Sequence, residues 1–217
     1  MPLFFKTKEL KEALSAMLKR PVTTRFPLEE HRPPAGFRGK PQFDEAKCVG
    51  CGACAEVCPS SAIRVIDPKS GSAGRKRGLV RKLELRYDVC NFCGLCEIHC
   101  ITGEGIRLTD RFDLALLDRT LASEVVEKEL VCCERCGGIL TARDHLLWIF
   151  RRLGATAYAN PTLLRIEDPG PSLPSPVSGG SMRREDVMKL LCPDCRRQVR
   201  LKDRWGDRWP FPDTKPS

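Results

Sequence analysis

The chain has 217 residues, 41% of them hydrophobic and 6% aromatic, with 13 cysteines and a formal net charge of +9. That length holds one sizeable domain or two small ones, and so aromatic-poor a composition makes a thin apolar core, so cysteine chemistry has to help hold the fold together. No run reaches the roughly 18 apolar residues of a spanning helix, which leaves a soluble or peripheral protein whose basic charge suits acidic partners, anionic lipid or nucleic acid.

Residues 1–20 read as one amphipathic helix: Leu10, Ala13, Leu14, Met17 and Leu18 recur at three- and four-residue steps, and Pro21 closes it. Such a helix packs on its own domain, docks on a partner or lies on a membrane surface. Residues 21–43, rich in Pro, Gly and Arg, read as an extended connector that wraps a partner. Residues 44–109 hold an internal repeat of two four-cysteine runs around two β-like segments, Ser61–Ile66 and Leu79–Leu85, with a basic hairpin loop over 68–78.

The remainder, 110–202 followed by a tail at 203–217, is less regular. Thr141, with Asp144 three residues on, predicts the cap of a helix that runs through Leu146, Ile149, Phe150 and Leu153 and stops at Gly154. Residues 167–181 are a Pro/Ser/Gly linker, and a cysteine pair flanks it on each side.

Disulfides fit this chain poorly. Its N-terminus has scattered charges and no apolar core of a secretory signal, and in a reducing compartment clustered C-x-x-C spacings mean metal. The first run is Cys48-x2-Cys51-x2-Cys54-x3-Cys58-Pro59 and the second Cys90-x2-Cys93-x2-Cys96-x3-Cys100. Three thiolates at three-residue steps let one loop curl around a [4Fe–4S] cubane. The fourth is expected to open the following helix, point away and ligate the other cluster. That pairing assigns Cys48, Cys51, Cys54 and Cys100 to one cluster, and Cys90, Cys93, Cys96 and Cys58 to the other. Gly50, Gly52 and Gly94 suit loops whose backbone N–H groups approach the cluster sulfides. His99 reads as a surface or packing residue, because the ligand places around it are filled.

Beyond the repeat, Cys133-x2-Cys136 and Cys192-x2-Cys195 are paired knuckles, the pattern of a tetrahedral four-thiolate site for zinc or for a single iron of rubredoxin type. Such a site staples the C-terminal segment across its linker. Cys132 is left as the spare thiol because Cys133 gives the x2 spacing, and the reverse assignment stays open.

Taken together, the N-terminal helix, Phe37-Arg-Gly-Lys-Pro41 and the two runs Cys48–Ser60 and Cys90–Cys100 resemble the two-cluster ferredoxin subunit of the complex I and group 4 membrane-bound hydrogenase superfamily. The added Cys133/Cys136 and Cys192/Cys195 pairs are most similar to the iron–sulfur subunit of formate hydrogenlyase and hydrogenase-4 complexes. The resemblance covers about half the chain. It implies an α+β protein: an N-terminal amphipathic helix, a bacterial two-cluster ferredoxin-like domain and a small C-terminal zinc-ribbon or rubredoxin-like region. It also implies a non-catalytic electron relay at the cytoplasmic face of the membrane, bound to other subunits of a hydrogenase or complex I-like assembly. Ile101 departs from the family, where a proline usually follows the last cysteine. A soluble ferredoxin-like carrier is the alternative. Nucleic-acid binding would need aromatics interleaved with the basic residues, and only the Trp205–Trp209 tail hints at that.

Overall fold

The computed structural model describes residues 7–19, 23–68, 78–167 and 188–205. Parts of the expected hairpin loop (69–77), of the linker (168–181) and of the tail (206–217) lie outside the described residues. The chain divides into two compact units, residues 1–37 and 38–217.

In the first unit, helix α1 spans Thr7–Leu18 and buries none of its residues. Leu10, Leu14, Met17 and Leu18 are all exposed, so the apolar stripe read from the three- and four-residue spacing exists and faces outward.

The second unit is built on antiparallel pairing. Strand β1 (Pro41–Phe43) opens it, followed by the one-turn helix α2 (Ala53–Glu56), β2 (Ile63–Ile66) and β3 (Val80–Arg86). A second one-turn helix α3 (Leu95–Ile98) and β4 (Ile106–Leu108) complete the repeat. β1 pairs with β4, Phe43 opposite Ile106, so the two ends of the repeat meet. β2 and β3 form the expected hairpin, Ile63 opposite Leu85.

The segment read as irregular proves to carry the longest strand. β5 (Ser123–Cys132) runs antiparallel to all of β3, from Val80 opposite Glu129 to Arg86 opposite Ser123. It then turns into β6 (Ile139–Ala142), giving a four-stranded sheet in the order β2-β3-β5-β6. The alternation in β5 buries Val126, Lys128 and Leu130 and exposes Val125, Glu127 and Glu129. Two of its inward positions, Glu124 and Lys128, are charged, and this broke the apolar period that would have revealed the strand.

Helix α4 (Arg143–Leu153) follows directly and ends at Gly154, as expected. Its start differs: Ala142 is the N-cap and no side chain caps it. The Thr141 hydroxyl instead meets Nδ1 of His145 at 3.0 Å, and Asp144 turns to Lys128 at 3.1 Å, so both expected capping groups have tertiary partners. Helix α5 (Pro161–Glu167) starts with proline at its first turn, where no backbone donor is lost, and the Asn160 carbonyl oxygen Oδ1 accepts from the Thr162 N–H. The last helix, α6, spans Pro193–Trp205.

Three small cores result among the described residues. One lies under the ferredoxin sheet, around Phe43, Ile63, Leu83, Leu85, Ile106 and Val126. A second joins β5 to α4 and α5 through Val131, Leu146, Phe150, Leu163 and Ile166, and the third packs Leu191 and Val199 around Cys133 and Cys195. Leu85, near the end of β3, is fully buried, whereas Val125 on the outer face of β5 is 47% exposed. Leu85→Ala should therefore destabilise the protein by about 2–5 kcal/mol, and Val125→Ala by no more than about 0.5 kcal/mol. Thermal loss of the visible absorbance of the reconstituted protein reads both.

Candidate metal centres

The two four-cysteine runs adopt one local design. Gly52 and Gly94, each directly after the second cysteine, take left-handed φ values of 84° and 82° and launch α2 and α3. The third cysteines, Cys54 and Cys96, are buried within these turns. The fourth cysteines do not open a helix as expected; Cys58 and Cys100 follow the ends of α2 and α3. Because glycine starts each turn immediately after the second cysteine, one helical turn is used up before the fourth is reached.

The position before the second cysteine differs between the halves. Gly50 (φ 69°) and Phe92 (φ 51°) are both left-handed. A Cβ on Gly50 would stand 2.9 Å from Lys128 Cγ and 3.0 Å from the Ala142 Cβ, so β5 and β6 press on the first loop closely enough to demand glycine. Cys48 and Cys51 therefore bracket a loop held on one side by the C-terminal half of the molecule.

Electrostatics tie the two runs together. Burial pushes the Cys54 thiol up to about 12, and the neighbouring thiol groups that add to this are Cys48, Cys51, Cys96 and Cys100. Burial likewise raises Cys48, with Cys51 and Cys100 contributing, although the N–H of Gly50 and the Lys128 ammonium act the other way. In the second run burial raises Cys90, with Cys58 and Cys93 contributing, and takes Cys96 up to about 11. Cys100 lies beside the first run: a Cβ on Gly105 would stand 3.1 Å from the Cys48 Cα and 3.3 Å from the Cys100 Sγ. Half-buried thiols that repel one another in this way ionise together only against a concentrated positive charge, which the irons of a cubane supply.

Cys58 and Cys100 are set apart. Burial opposes their ionisation, yet hydrogen bonds to the sulfur outweigh it and hold both below the ordinary thiol value. For Cys58 the donors are the N–H groups of Ile63, Ala62 and Ser60 with the Ser60 hydroxyl; for Cys100 they are Thr102 and the N–H groups of Gly105 and Ile106. Ser60 and Thr102 occupy the same place two residues after the cysteine, with Oγ···Sγ distances of 3.7 and 3.3 Å. Sequence reading overlooked these hydroxyls, although their spacing repeats. His99 is exposed and stands outside the thiol groups.

The other site is compact. The sulfurs of Cys133, Cys136, Cys192 and Cys195 all lie within 4.8 Å of one another, a separation suited to four ligands on a single ion. The first pair sits in the β5–β6 turn, where Gly137 takes φ 72° and its N–H donates to the Cys133 carbonyl at 2.9 Å. The second pair sits at the start of α6 and is brought over by the Glu134 N–H donating to the Leu190 carbonyl at 2.8 Å. Gly138 and Cys195 direct N–H groups at Cys136 and Cys192 Sγ, both at 3.4 Å, the donor pattern of metal-bound thiolates. Burial is the largest cause raising Cys195, and packed thiols of this kind need a cation.

Cys133 belongs to this set and Cys132 does not. Cys133 is buried beneath Leu191 and Val199 with its sulfur in the group of four, whereas Cys132, the last residue of β5, is not part of that group. Cys133→Ser should abolish the additional equivalent of metal bound per chain, and Cys132→Ser should leave it in place. Metal analysis of the two purified variants against wild type measures this.

A family model described as a 4Fe-4S dicluster domain matches residues 47–103. The NAD(P)H-quinone oxidoreductase subunit I of Gloeobacter violaceus is 33% identical over 103 residues, 48% of each chain. The NADH-quinone oxidoreductase subunit I 2 of Geobacter metallireducens is 34% identical over 110 residues, 49% of this chain and 81% of that one. The F(420)H(2) dehydrogenase subunit I of Methanosarcina mazei is 42% identical over 59 residues, 27% of this chain and 33% of the relative. The chain spans about half the length of the first of these relatives, and the described four-cysteine site lies beyond the residues that the family model matches. With the dicluster match and a relative covered over most of its length, the chain belongs to the ferredoxin-like iron–sulfur family of NADH-quinone oxidoreductase subunit I.

Proposed function

We propose that this chain is the electron-relay subunit of a membrane-associated oxidoreductase of the complex I or membrane-bound hydrogenase type. Cys48, Cys51, Cys54 and Cys100 hold one [4Fe–4S] cluster, and Cys90, Cys93, Cys96 and Cys58 hold the other. The observation that carries this reading is the pair of four-cysteine runs inside the dicluster match, with Cys100 Sγ and the Cys48 Cα brought to the two sides of Gly105. Bound clusters supply one-electron carriers. The protein's share is to keep two of them in one small core, shield them from water and direct N–H and O–H donors at the cysteine sulfurs.

In this reading residues 1–43 are the helix and partner-wrapping connector, 44–109 the ferredoxin domain, 110–202 the four-cysteine region and 203–217 a tail. The partners are other subunits of the assembly. The exposed apolar stripe of α1 favours a peripheral place at the cytoplasmic face of the membrane, and no described helix is long and apolar enough to cross it. The four-cysteine site at Cys133, Cys136, Cys192 and Cys195 favours the formate hydrogenlyase and hydrogenase-4 branch. Closed four-thiolate coordination there suits zinc, or a mononuclear iron, which would add a third redox centre.

Iron, sulfide and zinc analysis of protein purified without oxygen, with EPR of the dithionite-reduced sample, tests the relay. The expected content is about eight iron and eight sulfide with coupled reduced signals, plus one further zinc or iron. Iron without sulfide, or zinc alone, would overturn the relay. Cys100→Ala should damage the cluster of Cys48, Cys51 and Cys54 and spare that of Cys90, Cys93 and Cys96; loss of the second cluster alone would refute the crosswise assignment. Nickel retained with the complex isolated from native membranes would select the hydrogenase branch.

A further inference from the structure

The inward face of β5 carries two charges where a strand of this kind normally buries apolar side chains. Glu124 lies near its start and Lys128 near its middle, four residues apart and so about 13 Å along the strand.

Lys128 is only 9% exposed. Its ammonium donates to the Glu45 carbonyl at 2.6 Å and to Asp144 Oδ2 at 3.1 Å, and its aliphatic stem presses on Gly50 between Cys48 and Cys51. Directly opposite it on β3 stands a second cation, Arg81, whose Nη1 donates to the Gly50 carbonyl at 2.9 Å. Arg81 is gripped through two bonds by Asp67, both at 2.8 Å, and this pairing cancels most of its charge. Asp144, the partner of Lys128, is 47% exposed and its charge is screened by water. Like charges directly opposed across a ladder disfavour the pairing, so this arrangement is not one that strand stability selects. It leaves net positive charge at the loop of the first cysteine run.

Near the start of the strand Glu124 sits opposite Leu85. Its Oε1 accepts from the Phe43 N–H at 3.1 Å and its Oε2 accepts from the Tyr87 hydroxyl in a short bond. Tyr87 is buried three residues before Cys90, and that thiol is among the groups acting on it. Lys40 lies over the Tyr87 ring at 4.4 Å, and Arg38 donates to the Cys93 carbonyl at 3.2 Å from an exposed position, where solvent weakens its field. The second run thus has a half-buried carboxylate where the first has a buried ammonium.

We propose that Lys128 and Glu124 split the reduction potentials of the two clusters, raising that of the cluster beside Cys48 and Cys51 and lowering that of the cluster beside Cys90. An added electron is stabilised beside a buried cation and disfavoured beside a carboxylate. β5, a strand that contributes no ligand to either cluster, sets which of the two holds the electron. The inference rests on the relay reading above.

EPR-monitored redox titration of the anaerobically reconstituted full chain tests it, with iron and sulfide measured on the same samples. Lys128→Gln should lower the midpoint of one cluster and leave the other in place. Glu124→Gln should raise the midpoint of the cluster that Lys128→Gln leaves alone, and Lys128→Arg should restore the wild-type value. If Lys128→Gln does not retain its clusters, Asp144→Asn takes over the test, since removing the counter-ion should raise the cluster that Lys128 faces. Unmoved midpoints, equal shifts of both clusters, or both variants acting on one cluster would overturn the proposal and leave the relay standing. Wild-type protein without sulfide would remove the relay itself.

Discussion

The seven-residue ladder between β3 and β5 organises this molecule. β3 offers one edge to β2, closing the ferredoxin hairpin, and the other to β5, which continues into the turn that holds Cys133 and Cys136. One strand therefore forms the side of the two-cluster core and the approach to the single-ion site. Its register is pinned by Leu83 against Val126, both buried; a slip of one residue would turn Val126, Lys128 and Leu130 to solvent together. The exposed Lys82–Glu127 pair, 2.7 Å apart and directly opposed, adds a small increment to the same register.

The three cores are each too small to hold a domain of this length alone. Metal binding makes up the difference. Thiols that burial and mutual repulsion raise stay neutral until a cation arrives, so the binding free energy of the metal becomes folding free energy. The crosswise ligation proposed above would make that contribution cooperative, because each cubane would join α2 to α3. The four-cysteine site acts in the same way between the β5–β6 turn and α6, which are more than 50 residues apart in the chain.

Contact between the two halves is also chemical. α4 follows β6 without a break and delivers Asp144 to Lys128, which reaches the first cysteine loop. Gly50 has to be glycine because of that approach, whereas its counterpart Phe92 holds a left-handed conformation with a full side chain. An internal repeat has thus been made asymmetric by a strand outside it. In a relay, two equal sites pass an electron without preference; unlike surroundings give it a preferred seat.

Much of the metal chemistry was legible in the sequence, because ligand spacing is a local property. The x2-x2-x3 runs, the paired knuckles, the amphipathic stripe of α1 and the end of α4 at Gly154 each depend on residues a few positions apart. The β2–β3 hairpin was readable for the same reason, as its segments alternate in the ordinary way. β5 was not, since Glu124 and Lys128 occupy inward positions and erase the period by which a strand is recognised. The expected cap at Thr141 and Asp144 failed because His145 and Lys128 claim those groups, one from the same helix and one from the neighbouring strand. The choice of Cys133 over Cys132 likewise turned on which sulfur the turn after β5 carries to Cys192 and Cys195. Sequence alone determined the spacing of the cysteine runs and knuckles; which charges surround them was decided by the sheet, because only strand pairing brings residues 80 positions apart within reach of one another.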